Sequence, residues 1–257
     1  MINSRLNYIK EQISYPQLIT FDYGGTLFCE NYRGDRYGIK ELMKYIKTNP
    51  NKITAEQAAE YADRLNAEIS EAKKKLSENM FPFEIMSIQY IKSILDYFNI
   101  TLTINENEAE AIFWEANIDI VPTKNIQVLL KYLAQNNVKT SVISNYPLRS
   151  QTMKNRIEKL LPGIKFDFVM SSADYIFKKP SEVMFNTALN RADVSGLNTW
   201  HCGDSYECDV VGAANTGIFP VWYTDKENRP DLGINMLKIS DWEQMTDVLR
   251  NLKNNKY

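Results

Sequence analysis

The sequence predicts an α/β architecture: a parallel sheet covered by helices on both faces, with a helical block inserted after the first strand. Two observations carry this. In the second half of the chain short apolar runs alternate with segments of helical spacing, and strands that alternate with helices form parallel sheets. Between residues 29 and 120, by contrast, helical periodicity dominates and strand signal is sparse.

The apolar runs cover residues 138–144, 166–171, 199–203 and 219–223. Segments 149–161, 181–191 and 207–216 lie between them with helix-like spacing. An earlier run, 18–21, reads as a further strand leading into Asp22. In the inserted block Thr54 and Gln57 make a capping box, followed by Ala58, Tyr61, Ala62, Leu65, Ile69, Ala72 and Leu76 at helical spacing. Ile85, Ile88, Ile91, Leu95 and Phe98 make a second stripe, and a third helix is expected over 106–115. These stripes read as helix-to-helix core. A block inserted there would hang over the carboxyl ends of the strands, where open α/β sheets bind ligands.

Composition narrows the function classes. The 257 residues are 44% hydrophobic and 24% charged, ordinary for a globular chain and enough for a core domain plus a smaller one. Thirty basic residues against 32 acidic ones leave a net charge of -2, without the basic footprint of a nucleic-acid binder. No apolar run approaches the roughly 20 residues that span a bilayer. The first segment, MINSRLNYIKEQISYPQ, lacks the apolar stretch of a signal peptide, so a cytoplasmic protein with no membrane partner is expected. The three cysteines form no C-x-x-C pair, which argues against a disulfide framework or a zinc site. Cys202 reads as a buried structural thiol. His201 is the one histidine, within an apolar run, and its expected role is packing.

Four patches stand at or near the ends of predicted strands. They are Asp22-Tyr23-Gly24-Gly25-Thr26, Val142-Ile143-Ser144-Asn145, Lys178-Lys179-Pro180, and Gly203-Asp204-Ser205-Tyr206-Glu207-Cys208-Asp209. Each alone has an ordinary reading as a helix cap, a loop or a turn. Together, in this order, they resemble the four motifs of the haloacid dehalogenase superfamily: a strand ending D-x-D-x-T, a strand ending in Ser or Thr, a Lys, and an acidic G-D-x(4)-D patch. The resemblance spans about residues 18 to 223, and the helical block falls where that family has its C1 cap.

The resemblance implies a Rossmann-like core over 1–28 and 121–257, with a helical C1-type cap over 29–120. It implies a magnesium-dependent phosphohydrolase acting on a small phosphorylated metabolite through an aspartyl-phosphate on Asp22. Asp204 would join Asp22 and the backbone carbonyl of Gly24 in holding Mg²⁺, with Asp209 supporting the metal from the same patch. Ser144 and Lys179 would bind the transferring phosphoryl group, because a dianionic phosphate meets a carboxylate only when cations offset the repulsion. Lys179 is chosen over Lys178 because the family's lysine directly precedes proline. Asn145 would orient Asp22 or the substrate.

Gly24 departs from the pattern. Most family phosphatases have Asp there, which protonates the leaving oxygen and then activates water. Such help is worth about 10²–10⁴-fold. Three explanations compete: a leaving group that needs no proton, another side chain, such as one from the cap, that does the work, or a chain that binds without turnover. The aromatic Tyr23 and small Gly24 also resemble the phosphonatase branch, which uses a cap lysine; Lys40, Lys44, Lys47, Lys52, Lys73, Lys74 and Lys75 lie in the block. The dehalogenase branch has Tyr two residues after the nucleophile, which Gly24 does not match. Arg33, Arg36 and Met80-Phe81-Pro82-Phe83 read as a solvated flap and a packed hinge rather than as selectivity elements.

Overall fold

Leu18, Ile19, Thr20 and Phe21 are all buried, because the strand they form, β1 (Leu18–Phe21), is covered on both faces. A strand in the middle of a parallel sheet reads as such a run rather than as an alternation. The computed structural model describes residues 13–75, 84–225 and 233–254. After β1 come β2 (Phe28–Tyr32), α1 (Asp35–Leu42), β3 (Ile46–Thr48), α2 (Ala55–Lys75), α3 (Ser87–Tyr97), β4 (Thr101–Leu102), α4 (Glu106–Asn117) and β5 (Ile118–Pro122). The chain continues with α5 (Ile126–Gln135), β6 (Lys139–Ser144), α6 (Ser150–Leu160), β7 (Phe168–Ser171), α7 (Glu182–Ala192) and β8 (Thr199–Gly203). It closes with α8 (Gly212–Asn215), β9 (Phe219–Tyr223), β10 (Leu237–Ile239) and α9 (Trp242–Lys253).

Six strands form one parallel sheet in the order β10-β9-β8-β1-β6-β7. Ile19, Phe21 and Val142 face a core shared with Leu129 and Leu133 of α5, Met153 and Ile157 of α6, and Trp242 and Met245 of α9. Leu18 and Ile143 face a second core shared with Met184, Phe185 and Ala188 of α7. Helices therefore cover both faces, as the alternation of elements predicts. Phe21 pairs with Val142 on one side and Cys202 on the other, so β1, β6 and β8 end side by side. Cys202 is buried, as its sequence setting predicts.

The helical block departs from the main sheet through an antiparallel ribbon, β2 with β5, in which Phe28 faces Pro122. The expected block limits, 29 and 120, fall inside these two strands. Four short strands thus occur where the sequence shows little strand signal; β2 reads Phe-Cys-Glu-Asn-Tyr, and only Phe28 is buried, so no alternation marks it. The Thr54–Gln57 capping box forms: Gln57 Oε1 accepts from Thr54 N at 2.9 Å, and Thr54 Oγ1 from Gln57 N at 3.2 Å. Of the predicted α2 stripe, Ala58 and Ala62 are buried and Ala72 is exposed. Leu76 and residues 80–83 lie outside the described residues. The expected helix over 207–216 begins instead as a π-helical turn, Tyr206–Val211, before α8.

Block and core are joined by a buried carboxylate. Glu110 of α4 is fully buried and accepts from Ser87 Oγ (2.7 Å), Thr152 Oγ1 (2.6 Å) and Arg149 Nε (3.1 Å), the last two on or beside α6. A charge is tolerated there because its lone pairs are taken up. Among the described residues no helix is long and apolar enough to cross a membrane.

Candidate active site

The ends of β1, β6 and β8 bring three of the four patches together. Asp22 N continues the ladder by donating to Cys202 O at 2.8 Å, which points the residue out of the sheet's carboxyl edge. The chain then folds back tightly. Leu27 N and Phe28 N both donate to Tyr23 O, at 3.0 and 3.1 Å, and Gly25 N donates to Phe28 O at 2.9 Å. Gly25 has φ +69°, a left-handed value that suits glycine. This turn sends β2 back beside the strand end.

Lys179 is the centre of the arrangement. The residue is 2% exposed, and its Nζ donates to Asp22 Oδ1 and to Asp209 Oδ1, each at 2.6 Å. Its backbone is clamped by Asn145, whose Nδ2 donates to Lys179 O and whose Oδ1 accepts from Lys179 N, both at 2.7 Å. Asn145 therefore acts on Lys179, where sequence reading expected it to orient Asp22 or the substrate. Lys178 is half-buried beside it. Ser144 is buried at the end of β6, paired in register with Ser171.

Asp209 is held from three sides. Besides Lys179 it accepts from Ser205 N at 2.9 Å and from His201 Nε2 at 3.1 Å. His201 Nδ1 is bonded to Thr20 Oγ1 at 2.7 Å, the residue it faces across β1 and β8. Burial keeps His201 below its ordinary pKa, so a neutral ring that donates from Nε2 and accepts at Nδ1 satisfies both neighbours. Packing was the expected role of His201, and it does lie edge-on to Phe185. Its bond to Asp209 is an addition; its being the chain's one histidine was the only signal.

Charge is shared unequally. Burial alone would raise the Asp209 carboxyl, but Lys179 and His201 draw it down to about 2. Asp22 moves the other way: burial outweighs the pull of Lys179, and the charge of Asp209 adds to the rise. Lys179 goes up despite its burial, because Asp209 and Asp22 favour its charged form. Asp204 is more exposed; partial burial and the charges of Asp22 and Asp209 push it up to about 6.

Carboxylate oxygens of Asp22, Asp204 and Asp209 lie within 4.8 Å of one another. One lysine faces three carboxylates, and Asp204 has no ion pair among the described residues. Hard oxygen donors with a surplus of negative charge fit a divalent cation such as Mg²⁺. Since Lys179, His201 and Ser205 already engage Asp209, the open donors are those of Asp22 and Asp204.

A fourth carboxyl stands nearby, unnoticed in the sequence. Glu30 of β2 comes over Gly24: a Cβ on Gly24 would lie 2.7 Å from Glu30 Oε2. Tyr146 Oη donates to the other oxygen, Oε1, at 2.7 Å, and the Tyr146 ring rests edge-on against Tyr23. Burial raises the Glu30 carboxyl above its ordinary range, although the Tyr146 bond pulls it down. The one signal for such a residue was the missing carboxyl at Gly24.

The remaining candidates are engaged elsewhere. Arg33 pairs with Asp119, and Arg36 with Glu56 and Asp63. Lys40, Lys44 and Lys75 pair with Glu56, Glu41 and Glu71 on the surface. Lys47, Lys52, Lys73 and Lys74 are exposed. None of this singles out a lysine for phosphonatase-like chemistry.

Residues 89–222, more than half of the chain, match the family model described as haloacid dehalogenase-like hydrolase. The chain belongs to that family. A mouse relative, haloacid dehalogenase-like hydrolase domain-containing protein 3, is 33% identical over 96 residues, and the bovine protein of that name is 31% identical over 96. Each match covers 36% of this chain and 36% of the relative, so the chain spans about a third of the length of the curated relatives it matches. Among solved structures, a HAD phosphatase from Thermococcus onnurineus superposes with a TM-score of 0.56 at 18% identity, covering 91% of this chain and 97% of that one. A 2-haloacid dehalogenase from Pseudomonas syringae pv. Tomato superposes with a TM-score of 0.51 at 20% identity, covering 93% and 99%. A phosphatase and a dehalogenase thus share this fold, and the chemistry must be argued from the site.

Proposed function

We propose that this hydrolase is a magnesium-dependent phosphohydrolase acting on a small phosphorylated metabolite through an aspartyl-phosphate on Asp22. The observation that carries this reading is the position of Lys179 Nζ, 2.6 Å from Asp22 Oδ1 inside a group of three carboxylates. A carboxylate alone would repel a phosphoryl group. A buried lysine on one of its oxygens lowers that repulsion and leaves the second oxygen for in-line attack at phosphorus. Mg²⁺ held by Asp22 and Asp204, with the Gly24 carbonyl as the family pattern suggests, would neutralise the remaining carboxylate charge and that of the phosphoryl oxygens. Asp209 keeps Lys179 charged and fixed, His201 and Ser205 hold Asp209, and Asn145 fixes the lysine's backbone. Ser144, at the adjacent strand end, is assigned to the phosphoryl oxygens.

Hydrolysis of a carbon–halogen bond is disfavoured by Asp204, which bonds neither Lys179 nor His201 and whose carboxylate has no evident use in a metal-free reaction. The test is covalent. Incubation with Mg²⁺ and an aryl or acyl phosphate should give an acid-stable, hydroxylamine-labile phosphoryl adduct that maps to Asp22 and is missing in Asp22→Asn. An equal adduct on the variant overturns the assignment.

A further inference from the structure

We propose that Glu30, contributed by β2 of the helical insertion, is the proton-transfer carboxyl of the site, working through the space that Gly24 leaves open; the proposal rests on the phosphohydrolase reading above.

Three observations point to it. The first is place: the fold-back after Asp22 brings Glu30 Oε2 to 2.7 Å from where a Gly24 Cβ would stand, two residues on from the attacking carboxylate. Any side chain on Gly24 would have to displace it, so the glycine and the glutamate are complementary in shape. The second is orientation. Tyr146 Oη holds Oε1 at 2.7 Å, which fixes the carboxyl and leaves Oε2 on the side of Gly24. The third is separation from the acidic group: the Arg156 guanidinium acts on Glu30 through space, without an ion pair. Asp22 and Asp209 are both bound to Lys179, and Asp204 belongs to the acidic group. Among the described residues Glu30 has no ion pair, so it alone of these carboxyls is neither committed to the lysine nor to the acidic group.

The chemistry needs such a group. When an Asp22 oxygen bonds to phosphorus and the bond from phosphorus to the leaving oxygen breaks, an alkoxide would depart unless a proton reaches it. Glu30, as the acid, gives its proton to that oxygen; an alcohol leaves, Asp22 is phosphorylated, and Glu30 becomes a carboxylate. In the second half Glu30 takes a proton from water as the water oxygen bonds to phosphorus. The bond from phosphorus to Asp22 then breaks, which returns the Asp22 carboxylate, inorganic phosphate and a protonated Glu30. Protons and charges balance over the two halves, and no further reactant is required.

The experiment compares the parent, Glu30→Gln and the double variant Gly24→Asp/Glu30→Ala, each checked for folding by circular dichroism and melting. Phosphorylation of Asp22 and product release are measured with Mg²⁺ on a series of phosphate monoesters from 4-nitrophenyl to alkyl. Glu30→Gln keeps an acceptor for Tyr146 but has no proton to give. It should lose about 10²–10⁴-fold on alkyl phosphates and less than about tenfold on 4-nitrophenyl phosphate, which needs little protonation. Its adduct should outlive the parent's. The double variant, which moves a carboxyl into the vacated space, should recover the shallow leaving-group dependence of the parent. A folded Glu30→Gln with the parent's leaving-group slope and adduct lifetime overturns the role of Glu30 alone. A parent that forms no adduct from any ester in the series overturns the phosphohydrolase reading, and Glu30's role falls with it.

Discussion

A Cβ on Gly25 would lie 2.6 Å from Asp204 Oδ2. The glycine and the carboxylate occupy adjoining space at two strand ends, and Gly25 also has φ +69°. Gly25→Ala should therefore cost about 1–2 kcal/mol in backbone conformation and push Asp204 out of the acidic group. The expected result is a folded protein whose Mg²⁺ requirement moves to higher concentration, by an amount close to that caused by Asp204→Asn. Metal titration of activity and isothermal calorimetry check this; an unchanged Mg²⁺ midpoint in Gly25→Ala would count against Asp204 as a ligand.

Lys179 neutralises two buried carboxylates at once. Replacing it with Met leaves Asp22 and Asp209 close together and uncompensated. Breaking a buried pair in this way costs about 3–5 kcal/mol. Lys179→Met should lower the unfolding free energy read from urea curves by that amount and abolish turnover, whereas Lys178→Met should do neither. Parallel denaturation curves of the two variants decide it.

The Glu110 carboxylate ties the insertion to the main sheet's helices. Glu110→Ala removes the acceptor of Ser87 Oγ, Thr152 Oγ1 and Arg149 Nε together. Ser87 Oγ keeps Pro147 O at 2.9 Å and Arg149 can turn towards water, so Thr152 Oγ1 is the donor left buried, at a cost of about 1–3 kcal/mol. A loss of a few kcal/mol is expected, with faster amide exchange in α3 and α4 than in β1 and β8. Uniform exchange across both parts would show that Glu110 is not the tie between them.

Asp241 starts α9. Its Oδ1 accepts from Glu243 N and Asn125 Nδ2, both at 2.9 Å, and Lys124 Nζ lies 3.0 Å from Oδ2. Burial would raise this carboxyl, but those three contacts together lower it. A carboxyl depressed on folding stabilises the protein above its unfolded pKa, near 4, and that contribution is lost as the pH falls through the folded value. Asp241→Ala should lose about 0.5–2 kcal/mol at pH 7, the usual worth of an N-cap. The gap between parent and variant should close as the pH drops below about 4. Urea unfolding at a series of pH values checks this; a gap that widened at low pH would contradict the assigned cap.

Much of the core was legible because its strands are buried on both faces. Leu18–Phe21 stands out as an apolar run and residues 138–144 more weakly, and the patches at their ends name Asp22, Ser144 and, with the later motifs, Lys179, Asp204 and Asp209. What escaped was made by chain reversal. Glu30 sits in a mostly exposed strand with no periodicity, and only the fold-back through Gly25 brings it over Gly24. The bond from His201 to Asp209 likewise depends on a π-helical turn that local spacing does not specify. The clamp of Asn145 on Lys179 is not legible either, because its amide meets a backbone that lies 34 positions away. α5 has helical spacing at Ile126, Leu129, Leu130 and Leu133, but it starts at a left-handed Asn125 with no side-chain cap to mark the boundary.

The ribbon of β2 and β5 has a bearing on how such a chain could be rebuilt. Cys29 and Val121 face each other in register, so the excursion of some ninety residues leaves and rejoins the sheet domain at nearly one point. A module whose two ends meet can be exchanged for another, or closed by a short hairpin, without stretching the scaffold beneath. Glu30 lies one residue beyond that junction, so a graft spliced outside Cys29 and Val121 would remove the carboxyl together with the module, while one spliced beyond Tyr32 and Ile118 would retain it. A recombined series cut at these two depths would test whether the role proposed for Glu30 is separable from the rest of the insertion.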